Sequence, residues 1–173
     1  MRILALDQSL SSCGFAVWNT DDPIPQSGAW PLCEGVAQRA NAFLGLRREL
    51  IALHKAEPID LIAHEKPIKL PTDKLDKLIG IYGLVAHIEC FARGKRIRLM
   101  SIDSREWRKT WFFGMDVAGR TDLKRMAIER ARQFGMDPIT DDEAEACGIL
   151  DHIMHEERIM PPWRALNPMV ATL

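Results

Sequence analysis

Two short β-rich runs, Ile3-Leu4-Ala5-Leu6 and Leu61-Ile62-Ala63-His64, each end on a carboxylate, Asp7 and Glu65. A strand interior excludes an unpaired charge, because a carboxylate in a low-dielectric setting needs a counter-charge. If the two strands lie parallel and adjacent, both acids reach one edge of a sheet. Ligand sites in open α/β sheets lie beyond such strand ends. For either acid taken alone, a helix cap or a salt bridge is the simpler reading.

The remaining pattern supports a sheet of that kind. Residues 2–7 and 13–18 read as strands joined by the turn Gln-Ser-Leu-Ser-Ser, and a third strand is expected near 27–33. Helical spacing runs over 36–55 and stops at Pro58. The strand 59–65 follows, then a loop marked by Pro67 and Pro71, then a long helix over 73–92 ended by Gly94. Beyond it come a strand at 96–102, a short helix at 104–112 capped by Asp103 or Ser104, and a loop at 114–120. Two more helices follow, at 121–134 (stopped by Gly135) and about 140–158. The order predicts an α/β fold in which three antiparallel strands continue into strands alternating with helices. The sheet is mixed, with helices on both faces. Residues 1–158 make one domain, and 159–173 form a proline-broken tail, either an arm or a packed coil.

Composition narrows the function. At 47% apolar and 27% charged residues, the chain sits in the globular range. No apolar run approaches the roughly 18 residues of a membrane span, and no signal peptide is legible, so a cytoplasmic location is expected. Cys13, Cys33, Cys90 and Cys147 show no metal-ligand spacing and are expected to be reduced and mostly buried. Net charge is only −1, yet between Arg93 and Arg132 twelve Lys and Arg stand against five acids. A local phosphate-binding face has this character. Solvated helix faces give the same count, and the last arginines suit that reading better.

The last helix decides between the two meanings of Asp7 and Glu65. Thr140-x-x-Glu143 is a capping box, which makes Thr140 the N-cap. Asp141 and Asp142 then fall in the first turn, where the helix dipole favours acids. That does not cover Glu145. Asp142 and Glu145 lie three apart on one face, and that face continues as Ala146, Ile149 and Ile153 toward the sheet. Two like charges there repel unless a cation sits between them. A divalent ion would serve, and an all-oxygen set suits Mg²⁺ or Mn²⁺. Asp7, Glu65, Asp142 and Glu145 could hold two such ions, which together can activate water and stabilise the leaving oxygen in phosphodiester cleavage. Small residues after Asp7 would let a phosphate backbone approach. Ser9, Ser11 and Ser12 could bond its oxygens, although they are equally ordinary turn residues.

At these residues the chain resembles the RuvC-type Holliday-junction resolvases of the RNase H-like superfamily. The matching stretches are ILALDQSLSSCGFAVW, LIAHEKP, KLIGIYGLVAHIE, SIDSREWRKTWFFG, GRTDLKRMAIE and DDEAEACGILDH, spanning residue 2 to about 152. The resemblance implies a five-stranded mixed sheet, a homodimer, and paired metal-dependent nicks in DNA strands of like polarity, as recombination and repair require. It places the four catalytic, metal-holding acids on Asp7, Glu65, Asp142 and Glu145. The last is usually aspartate, so Asp141 is a possible substitute ligand. Arg108 and Lys124 fall on the family's basic positions and would contact phosphates. Lys66, Arg105, Lys109 and Arg120 are further candidate DNA contacts. Ile68 stands where an aromatic often wedges into the junction, so an apolar wedge remains but base stacking does not. The relaxed matches suit a phage or mobile-element member.

In the helix 73–92 apolar residues go round more than one face. Gly80 and Gly83 each cost about 1 kcal/mol against alanine there, and close backbone approach would justify them. The matching family helix makes Leu78, Gly80, Ile81, Gly83 and Leu84 a candidate dimer interface. A fully buried monomer helix is the competing reading.

Other features point less far. His152 and His155 read as a surface pair, and His64 alternates away from Glu65 toward core or solvent. Trp107 and Trp111 beside Arg108 and Lys109 could bind nucleic acid, although core packing accounts equally well for one of them. An actin-like ATP-binding reading needs two domains and a glycine-rich motif that this sequence does not show. A nuclease for other branched DNA or hybrids, and a catalytically silent junction-binding module, remain as alternatives.

Overall fold

The structure, a computed structural model, describes residues 1–33, 38–68, 74–115 and 119–165. The strands are β1 (Arg2–Gln8), β2 (Ser12–Asn19), β3 (Gln26–Pro31), β4 (Leu61–Glu65) and β5 (Arg98–Ile102). The helices are α1 (Arg39–Ala56), α2 (Leu75–Lys95), α3 (Ser104–Trp111), α4 (Arg120–Gln133), α5 (Asp141–Glu156) and the single turn α6 (Pro162–Ala165). The expected helix start at Val36, the loop at Pro71, the helix start at Asp73, the middle of the 114–120 loop and the tail from 166 lie outside the described residues.

One sheet runs in the order β3-β2-β1-β4-β5, with β1 antiparallel to β2 and parallel to β4. Strand alternation sorts its side chains to two cores. Ile3 and Ala5 of β1, Ala16 and Trp18 of β2, and Leu61 and Ala63 of β4 face one core, built with α3, α4 and α5. Leu4, Leu6, Cys13, Val17 and Ile62 face the other, built with α1 and α2. Helices therefore cover both faces, and the central strand β1 is apolar on both sides because neither side meets water.

α5 is the most enclosed helix, buried from Ala146 through Met154. It crosses β1 and β2 and packs on α3 and α4. Its cap is a variant of the expected box. The Thr140 hydroxyl accepts from the Glu143 N–H (3.3 Å), and the Glu143 carboxylate in turn accepts from that hydroxyl and from the Ile139 N–H. α2 ends later than Gly94 suggests. It passes through Gly94 to Lys95, and Arg96 takes the left-handed turn (φ 59°). The Ile97 N–H then bonds the Ala92 carbonyl, and the buried Ile97 side chain secures the end.

The described part of the tail packs as coil and one helical turn rather than standing out as an arm. Trp163 is fully buried against Trp18. Its Nε1 donates to Asp151 of α5 (2.9 Å), and Arg164 meets the same carboxylate through Nε (2.9 Å) and Nη2 (2.5 Å). Asp151 is itself fully buried, so removing it strands three donors on two side chains. Asp151→Ala is expected to cost about 3–5 kcal/mol in urea unfolding.

Of the four cysteines, Cys13 and Cys147 are buried, Cys33 is half-buried and Cys90 is exposed. Burial of the thiols is thus less general than expected. No helix among the described residues is long and apolar enough to cross a membrane.

Candidate active site

The same alternation that makes the sheet builds the site. Asp7 continues the Ile3–Ala5 row and Glu65 continues the Leu61–Ala63 row, so both carboxylates emerge on the α5 side. β1 and β4 pair in register through Leu6 and His64, and one step further brings Asp7 beside Glu65. The Gln8 side-chain amide ties the strand ends together by donating to the Glu65 carbonyl (2.6 Å).

Gly14 brings the third element in. It pairs with Asp7 across β1 and β2 and faces α5. A methyl group at Gly14 would overlap the Asp142 carbonyl of α5. The missing side chain therefore admits the first turn of α5 against the sheet. At Gly14 the protein's own backbone, not a ligand, fills the space that the small residue leaves.

Asp7, Glu65 and Glu145 each offer a carboxylate oxygen, and these oxygens lie within 4.8 Å of one another. Asp142 stands outside this set of three but near enough that its charge acts on Asp7. Burial, and then the charges of Glu145, Glu65 and Asp142, hold the Asp7 carboxyl well above the usual carboxylate range. Burial also raises Glu65 and Glu145, against the opposing pull of Arg108 on both. All three donors are hard oxygens and all three resist ionising side by side, which is the environment a divalent cation relieves.

Two cations border the cluster. Arg108 lies 3.8 Å from Glu145 and over the Trp107 ring, 4.9 Å from its centroid. Lys124 is held by Asp141, and that bond raises its pKa. Asp141, the possible substitute ligand, is thus engaged away from the three-oxygen set. Lys66, Ile68 and Arg105 are exposed near the ends of β4 and α3. Lys109 instead lines a separate groove with Glu106, Thr110 and His152, between β5, α3 and α5. Arg120 opens α4, and its side chain is outside the described part.

Of the histidines and tryptophans near the site, His152 and the tryptophan pair differ from expectation. His152 is not a surface residue: it is buried, its Nδ1 lies 2.8 Å from the Thr110 hydroxyl, and burial lowers its pKa. His155 is exposed, and His64 is core. Trp107 and Trp111 are both fully buried, so neither ring offers a face to a base. Arg125 and Arg132 are exposed ion-pair residues, Arg125 with Asp122 and Glu129 and Arg132 with Asp137, whereas Arg130 is half-buried with its guanidinium over the Phe113 ring.

The glycines of α2 permit close approach within the chain. A Cβ at Gly80 would lie 2.5 Å from the Leu10 side chain, and one at Gly83 would overlap the Phe43 ring. Leu84 is fully buried. Packing within the chain uses these three positions. Leu78 and Ile81 are half-buried, and the apolar residues left in solvent are Leu75, Ile79 and Tyr82.

The architecture is that of the RNase H-like fold in its RuvC-type form. RuvC of Thermus thermophilus, solved in complex with a Holliday junction substrate, superposes with a TM-score of 0.68 at 9% identity, over 91% of this chain and 95% of that one. A second structure of Thermus thermophilus RuvC gives 0.68 at 11% identity, over 91% and 96%. The yeast mitochondrial Holliday junction resolvase Ydc2 gives 0.58 at 14%, over 94% and 78%. No family model and no curated sequence matches the chain.

Proposed function

We propose that this chain is a metal-dependent endodeoxyribonuclease that nicks four-way DNA junctions as a homodimer. The carrying observation is the convergence of Asp7, Glu65 and Glu145 oxygens within 4.8 Å at the carboxyl ends of β1 and β4. Asp142 completes the acidic wall. These four acids would hold two Mg²⁺ or Mn²⁺ ions. A bound ion of this type would supply Lewis acidity and lower the pKa of a bound water, so that its proton is more easily lost as it attacks.

The chain's own residues supply the rest. The rigid strand ends keep the carboxylates converged without DNA. Arg108 places a fixed positive charge beside the cluster, where it meets a phosphate oxygen and offsets charge as water attacks phosphorus and one P–O ester bond breaks. Lys124 adds a second charge at the first turn of α5. Lys66, Arg105 and Ile68 border the same end of the sheet, where the arms of a branched duplex would lie. The junction as substrate is favoured by the bound DNA of the Thermus protein of similar fold.

The test is incubation of a synthetic four-way junction with the protein and Mg²⁺ or Mn²⁺, beside a flap, an RNA–DNA hybrid and a linear duplex. Paired nicks in the junction support the proposal. Cleavage of the flap or hybrid instead would move the assignment to another nuclease of this fold, and junction binding without cleavage would indicate a silent binding module.

The dimer rests on the exposed stripe of Leu75, Ile79 and Tyr82 along α2, since large apolar residues in a row mark contact surfaces. Ile79→Glu is expected to convert the dimer to monomers in sedimentation and leave the thermal midpoint of the monomer unchanged. A wild-type protein already monomeric at micromolar concentration would refute the dimer.

A further inference from the structure

We infer that Trp107 is a positioning residue, with its indole N–H aiming Glu65 into the carboxylate cluster while its ring face carries Arg108. One rigid side chain thus sets the spacing between a metal-holding acid and a phosphate-facing cation. The inference rests on the nuclease reading above and deepens it.

The geometry is specific. Trp107 Nε1 donates to Glu65 Oε2 at 3.3 Å. A glutamate at a strand end turns easily about its last torsion. One fixed donor on Oε2 holds the carboxylate plane and leaves Oε1 to the cluster. The Glu65 main chain is anchored independently by Gln8, so the indole bond governs only the side chain. The ring's other role is visible in Arg108: its guanidinium lies over the ring face, and its Nε is buried with no hydrogen-bond partner among the described residues. Ring stacking and Glu145 then account for its position.

Trp107 can act this way because it does not move. It is fully buried and lies on Gly148 of α5, where a Cβ would sit 2.8 Å from its Cζ3. Trp111, one turn further along α3, provides a natural comparison. It is equally buried and packs on the same Gly148, yet its Nε1 has no partner among the described residues.

The test compares Trp107→Phe with Trp111→Phe, which remove the same atoms from the same core. Mn²⁺ binding is measured by calorimetry without DNA, and thermal unfolding is followed with and without Mn²⁺. Loss of an outer partner of a metal ligand costs about 10–100-fold in metal affinity. Trp107→Phe is therefore expected to weaken Mn²⁺ binding at least about tenfold and to shrink the thermal gain from Mn²⁺. Trp111→Phe should bind Mn²⁺ as the wild type does, even if it melts earlier. In junction cleavage, Trp107→Phe should raise the Mn²⁺ concentration for half-maximal rate while the saturated rate holds, because a phenyl ring still supports Arg108. Trp107→Leu should raise that concentration and also lower the saturated rate. Unchanged Mn²⁺ affinity in Trp107→Phe, or equal losses in the two Phe variants, would overturn the positioning role. A wild-type protein that binds no Mn²⁺ would overturn the nuclease reading itself, and this inference with it.

Discussion

Asp7→Asn is expected to abolish metal-dependent junction cleavage and, at the same time, to stabilise the metal-free protein. Both effects come from one cause. Asp7 is buried among Glu145, Glu65 and Asp142, and burial followed by these charges raises its pKa in the folded state. A group whose folded pKa lies above its unfolded value contributes stability that is complete below the unfolded pKa. That stability is lost as pH rises through the folded value. The metal-free wild type should therefore melt at higher temperature in mild acid than at neutral pH, with Glu65 and Glu145 acting in the same direction. Asparagine carries no charge to repel and should flatten this dependence. For a chain of this size each kcal/mol relieved raises the midpoint by about 2–4 °C. Adding Mg²⁺ or Mn²⁺ should stabilise the wild type and leave Asp7→Asn nearly unmoved. Cleavage should fall by at least ~10³-fold, equivalent to ~4 kcal/mol of transition-state stabilisation. Calorimetric scans from pH 4.5 to 8, with and without metal, check every part. A variant that melts earlier than the wild type in metal-free neutral buffer would refute the crowded-carboxylate reading.

Gly14→Ala is the second large effect, and it should damage both fold and site. The added methyl group would overlap the Asp142 carbonyl. That neighbour is backbone in the first turn of a buried helix, so no flexible side-chain end can give way. Either β2 or α5 must shift. Overpacking of this kind costs about 1–3 kcal/mol and more where backbone is the obstacle. The shift also carries Asp142 and Glu145 away from Asp7, and a misplacement near 1 Å can cost about 10²-fold in rate. Gly94→Ala is the matched control. Gly94 lies inside α2 with nothing near a Cβ, so alanine there should stabilise by about 0.5–1 kcal/mol. Equal midpoints for Gly14→Ala and wild type would show that α5 does not rest on that glycine.

These two positions mark how far the sequence could be read. Asp7 and Glu65 stood out because a charge closing an apolar strand violates the pattern around it. Glu145 stood out because it broke the apolar face of a helix. The glycine at position 14 was visible, but its neighbour was not, since α5 lies more than 120 residues further along the chain. Trp107 was legible only as an aromatic among basic residues. Its hydrogen bond to Glu65 depends on how α3 docks against the sheet, which no local pattern encodes. A glycine inside a strand and a tryptophan beside a basic helix face were the signals available, and each has commoner explanations. For α2 the pattern told of close approach but not of the partner. Gly80 and Gly83 do permit close approach, but to Leu10 and Phe43 of the same chain.

By itself the amino-acid sequence determined the order of strands and helices, the cap of α5 and the alternation that puts Asp7 and Glu65 on one side of the sheet. Those properties depend on neighbours within a few residues, where periodicity and turn chemistry act. Tertiary structure alone decided that Glu145, rather than Asp141, meets these acids, that Lys124 takes up Asp141, and that Trp107 lies between Glu65 and Arg108. The physical reason is reach. A contact between distant elements depends on packing distances set by Gly14 and Gly148, where the absence of one carbon atom brings two backbones or a ring and a helix together.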